Sequence, residues 1–178
     1  MPFLARRVKG VLWANASDSE RWAGSEFPFE LLTDLLDKGG AGISVWEVKS
    51  KVDPALKRIA AALMMGSKTN PGREVQSIEF RLADKARVET LGIKITSSPS
   101  DTRDNEINGL HRDLSDLNAK RAVALLRLMK TRACVFSAKE VARFVATGLV
   151  RQHVPMDALT KELLWSLHQR KPLKITIS

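Results

Sequence analysis

The chain has 178 residues, 44% of them hydrophobic and 28% charged, which fits a folded globular protein and excludes a disordered or collagen-like one. Its longest unbroken apolar run, Ile59 to Met65, is far short of the roughly 20 residues of a membrane helix, so no membrane is expected as a partner. A formal charge of +9 and a single cysteine point to acidic partners and exclude a disulfide framework or a multi-cysteine zinc site.

Residues 1–17 contain Arg6, Arg7 and Lys9, no acid, and interspersed apolar residues. A secretory signal needs an apolar stretch of about 7–15 residues, which is missing here. A first strand or helix with a basic edge is the expectation, a targeting presequence the alternative, and a cytoplasmic location the default.

The apolar spacing of Phe29, Leu32, Leu35 and Leu36 predicts a helix over 27–38, stopped by Gly39-Gly40. Ile43 to Val48 alternates strictly and reads as a strand. Asp53-Pro54 is a helix start, because aspartate caps free amides and proline lacks only a donor that the first turn does not use. That helix should end at Gly66. Asn70-Pro71-Gly72 marks a loop, and Ile78, Phe80 and Leu82 alternate with polar residues as a half-buried strand. A short helix over 84–91, closed by Gly92, and a short strand over 93–96 follow.

The polar stretch 97–104 is the expected soft boundary between an α/β portion, 1–98, and a basic helical portion, 104–178. Beyond it, Ile107, Leu110, Leu114, Leu117, Ala124 and Leu128 predict one long helix over 105–132. Ser137 and Glu140 form a capping-box pattern opening a second helix to about Val150. A third is expected over 155–169, and an edge strand over 173–177. The fold class is therefore α+β: a small mixed sheet with helices in the first hundred or so residues, then a basic three-helix subdomain.

Several strings invite a chemical reading. His111-Arg112-Asp113-Leu114 with Asn118 matches the spacing of a kinase catalytic loop. The chain lacks the glycine-rich loop, strand lysine and D-F-G that such a site requires. Gly66-Ser67-Lys68-Thr69 lacks most of a phosphate loop and reads as a helix end. His111, His153 and His168 show no metal-ligand spacing, and no metal or cofactor is expected. Cys134, beside Val135 and Phe136, reads as a small buried hydrophobe.

The charge itself is the informative feature. Residues 105–178 carry a net charge of +7, and no acid occurs between Asp116 and Glu140. On a helix, Lys120, Arg127 and Lys130 fall within about one third of the circumference. Together with Arg121 and Arg132 they form a basic helical face. The expected function is non-catalytic binding: a cytoplasmic, prokaryotic-style immunity, antitoxin or adaptor protein docking an acidic partner. Sequence-nonspecific nucleic-acid binding by the same face is the alternative, and an enzyme with a site around His111 the third possibility. The helical tract lacks basic–aromatic interleaving for base stacking: Trp165 is its only tryptophan, and tyrosine is absent from the chain.

Overall fold

The computed structural model describes residues 1–8, 13, 35, 42–67, 69–72, 74–153 and 159–170. Among them are six strands and six helices, an α+β fold. The expected helix over 27–38, the strand over 173–177 and the start of the helix over 155–169 fall largely outside the described residues. No described helix is long and apolar enough to cross a membrane.

The strands are β1 (Phe3–Val8), β2 (Ile43–Val48), β3 (Ile78–Asp84), β4 (Lys94–Ser97), β5 (His111–Ser115) and β6 (Ala133–Phe136). They form one sheet in the order β4-β5-β2-β1-β3-β6. β1 runs antiparallel to both β2 and β3, and β5 antiparallel to both β2 and β4. The helices are α1 (Pro54–Met65), α2 (Lys85–Thr90), α3 (Asn105–Asn108), α4 (Ala119–Lys130), α5 (Ala138–Val150) and α6 (Lys161–Gln169).

The local signals at helix ends act as their chemistry requires. The Asp53 carboxylate accepts the Ala55 amide at 2.9 Å, with Pro54 in the first turn of α1. Gly66 closes α1 at φ +72°, a left-handed conformation that a Cβ would strain, and its amide donates to Ala62. The capping box at α5 is complete, with Ser137 accepting the Glu140 amide and Glu140 accepting the Ser137 amide.

The chain folds into two compact units that alternate along the sequence: 1–51, 79–98 and 111–134 in one, 52–78, 99–110 and 135–178 in the other. One crossing between the units, at 98/99, falls in the polar stretch 97–104.

In the first unit, α4 contributes Ala122, Leu125, Leu126 and Met129 to an apolar cluster with Leu4, Ile43, Val45 and Leu114 of the sheet. Each of the larger side chains is fully buried, worth roughly 1.5–3 kcal/mol of transfer free energy. In the second unit α1 and α5 pack against each other, and α1 also meets α3.

The single long helix expected over 105–132 is replaced by three elements: the one-turn α3, strand β5 and α4. Leu114 is the reason for the strand. It sits opposite Ile43 on one side and Ile95 on the other, fully buried in a cross-strand apolar row. The segment His-Arg-Asp-Leu-Ser also contains weak helix formers, so burial in a sheet outweighs the 3/4 spacing of its leucines. Asp116 then takes φ +61°, and Asn118 starts α4 afresh by accepting the Arg121 amide at 2.9 Å. β6, lying between α4 and α5, is a strand in the gap between the first two expected helices, where no element was expected.

Candidate functional site

The five residues of the expected basic face are placed differently from one another. Lys120 and Arg127 are exposed on α4, while Arg121 and Lys130 are half-buried. The residues Ala122, Leu125, Leu126 and Met129 occupy the helix face turned into the core, so Lys120, Arg127 and Lys130 share a stripe outside it.

Arg121 is engaged structurally. Its guanidinium donates to the Asp116 carbonyl at 2.7 Å and lies beside Gly92, where a Cβ would come within 2.9 Å of Nη2. It therefore ties down the turn before its own helix. Arg132 lies beyond the helix, in the link to β6, with its guanidinium 5.0 Å from the Phe3 ring centroid. Its carbonyl accepts the Leu82 amide at 2.9 Å. The Lys130 carbonyl accepts from Arg81 at 3.0 Å. The structure thus brings Lys120, Arg127 and Lys130 to one stripe and gives Arg121 and Arg132 local tethering contacts.

His111 is only 7% exposed. Its Nδ1 donates to the Ser98 carbonyl, and its ring meets Trp46 edge-on at 5.2 Å between centroids. Asn108 lies in α3, and on the strand Ser115 stands four residues along, about 13 Å from His111, so the three do not cluster as they would on a helix. Asn108 instead accepts from Ser100 at 2.8 Å and from Thr102 at 2.6 Å in the other unit. The kinase-like string is a sheet strand. Arg112 donates to Glu47 at 3.1 Å, and Lys85 donates to the other Glu47 oxygen at 3.0 Å, which leaves Asp113 apart from both cations. Cys134 is half-buried in β6. No group of three or more His, Cys, Asp or Glu side chains is placed to hold a metal among the described residues.

A second cationic feature was not anticipated. Within the unit containing α1 and α5, a cleft of about 370 Å³ opens between these helices. α1 lines it with Lys57, Arg58, Ala61 and Met65, which recur at spacings of three and four. α5 lines it with Arg143 and Thr147, with Phe144 and Gly148 alongside, and its C-cap Arg151 continues the same spacing of four.

Asp104 is the acid of this lining, and it is already held. It is 3% exposed and accepts from Arg58 Nε and Nη2 at 3.0 and 2.8 Å. Arg58 also pairs with Glu106. Burial works against the Arg58 charge, but the hydrogen bonds and attraction from Asp104 and Glu106 outweigh it and raise its pKa above the ordinary guanidinium value. Phe144 is gripped edge-on by Phe136, with ring centroids 5.0 Å apart, and Lys57 Nζ stands 5.8 Å from its centroid.

The signal for this cleft was present as the stripe Arg143–Thr147–Arg151. It escaped notice because a charged stripe on one helix has no meaning until a second helix is known to face it. Comparison with family models, with curated proteins and with solved structures finds no match to this chain.

Proposed function

We propose that the protein is a binding protein that docks an acidic partner protein through the cationic stripe of α4. The observation that carries this reading is the amphipathic placement of α4. Its apolar side is consumed by the sheet, while Lys120 and Arg127 stand exposed in a tract without acids from 117 to 139. Such a stripe speeds encounter with a negative surface and fixes orientation.

A protein partner fits better than a nucleic acid because the stripe is short. Lys120 and Arg127 lie seven residues apart, about 10 Å along the helix axis. The electrostatic part of duplex binding grows with the number of phosphates neutralised, and a stripe this short offers few. An immunity, antitoxin or adaptor role is the form of such binding that a small basic chain suits.

The test compares the wild-type chain with the K120E/R127E/K130E variant. Association with an immobilised acidic polypeptide and with a labelled DNA duplex is followed from about 50 to 200 mM salt. The expected result is association with the polypeptide at least tenfold slower in the variant at low salt, with the difference shrinking as salt rises. A strong preference for duplex, with a steep linear log–log salt dependence, transfers the stripe to nucleic acid. Indifference of both probes to the triple change overturns the reading.

A further inference from the structure

We propose that the cleft between α1 and α5 is a binding site for a small organic anion with an apolar, ring-sized body and a doubly charged head such as a phosphomonoester. It is separate from the α4 stripe and does not rest on the reading of that stripe.

Three observations converge on this ligand. The first is charge. Arg58 is committed to Asp104 and Glu106; Lys57 and Arg143 feel the Glu140 carboxylate only through space, and Lys57, Arg143 and Arg151 make no close carboxylate ion pair among the described residues. Three cations around one concavity create a field that a single carboxylate only partly offsets and a dianion fills better. Two of the three are arginines, whose planar forks match phosphate oxygens in pairs.

The second is shape. A volume of about 370 Å³ lies at the small end of the range of about 300–1,000 Å³ for small-molecule pockets. The wall includes Ala61 and Met65 of α1, both buried, and the ring of Phe144, already fixed by Phe136. An apolar body placed there loses water while the head stays near the arginines.

The third is Gly148. It lies inside α5, where glycine costs roughly 0.5–1 kcal/mol relative to alanine. A Cβ at this position would meet nothing within 4 Å, so no neighbouring group requires the glycine for close approach. What the missing side chain preserves is the open space of the cleft.

Calorimetric titration of the full chain with phenyl phosphate, inorganic phosphate, benzoate and benzyl alcohol tests the site at about 50 mM salt. The expected order is phenyl phosphate tightest, with saturable one-to-one binding below about 1 mM. Benzoate and inorganic phosphate should each bind at least tenfold more weakly, lacking the second charge and the ring respectively, and benzyl alcohol not at all.

G148L, which fills the cleft from its own backbone, should abolish phenyl phosphate binding. R151Q should weaken it at least tenfold. R151Q alters an exposed side chain, so it remains informative where G148L disturbs folding, and circular dichroism of each variant checks this. The K120E/R127E/K130E variant should bind phenyl phosphate as the wild type does, which separates this site from the α4 stripe. Three results would overturn the proposal: no saturable binding, equal binding of phenyl and inorganic phosphate, or phenyl phosphate binding unchanged in R151Q.

Discussion

Arg58 and Asp104, 46 residues apart in sequence, form a forked ion pair in which both guanidinium edge nitrogens reach the carboxylate at 2.8–3.0 Å. The Asp104 side chain is 5% exposed and that of Arg58 28%. Asp104 also caps α3, its carboxylate accepting the Ile107 amide at 3.4 Å. One buried carboxylate therefore fixes where the loop after β4 meets α1.

Replacing Asp104 with Asn keeps a good capping side chain but removes the charge. Breaking a buried pair by deleting one partner costs about 3–5 kcal/mol, and the partial exposure of Arg58 and its second partner Glu106 reduce this to about 2–3. Urea unfolding of D104N should show that loss. A change below about 0.5 kcal/mol would mean that the pair is not a stabilising contact.

Asn118 restarts the helix after the turn at Asp116. Asn118→Ala removes the cap on α4 and should cost about 0.5–2 kcal/mol, whereas Asn118→Asp should be near neutral. Thermal unfolding of the two variants side by side distinguishes capping from any other role of the asparagine.

His111 is buried in this sheet between the Ser98 carbonyl and the Trp46 ring. His111→Ala leaves the Ser98 carbonyl without its donor and opens space beside Trp46, which predicts a loss of about 1–3 kcal/mol. The cleft should be unaffected: phenyl phosphate titration of H111A should match the wild type. A variant that loses that binding while staying folded would give His111 a part beyond packing.

The Glu140 carboxylate is held below its usual range, first by the hydrogen bonds from the Ser137 hydroxyl and amide, with added attraction from Arg143 and Lys57. A depressed folded-state pKa gives stability that is present above the unfolded value, ordinarily near 4.5, and lost as pH falls through the lower folded value. Glu140→Gln keeps much of the cap geometry without the titration. The Tm difference between wild type and E140Q should therefore be constant from pH 5 to 7 and shrink progressively below about pH 4.5. A difference that grows on acidification would reverse the assigned sign.

Much of the fold was readable where the local signal and the long-range contact agree. Ile43 to Val48 alternates with the pleat of a strand and pairs on both sides, and Asp53-Pro54, Gly66 and the Ser137–Glu140 box mark helix ends through chemistry confined to a few residues. The reading fails at His111 to Ser115. There the leucine spacing fits a helix, and the deciding partners, Ile43 and Ile95, lie 71 and 19 residues from Leu114. No window on the chain contains that row. The cleft was hidden for the same reason: Lys57 and Arg143 acquire a common surface only through the packing of α1 on α5. The α4 stripe, by contrast, depends only on helical periodicity and is visible as soon as residues 119–130 are known to be helical.

The alternation of the two units along the chain governs how the protein is made. Strand β4 joins the sheet only through β5, whose residues are synthesised after those of α1 and α3. β6, next to β3, comes later still, from residues 133–136. The ribosome therefore releases β4 with its pairing partner still unborn, and the sheet cannot close until residues 52–78 and 99–110 of the other unit have also emerged. Neither unit can be cut out as one continuous fragment. Such a topology favours slow, late and collective folding, in which exposed strand edges must be kept from other chains until the last strand arrives.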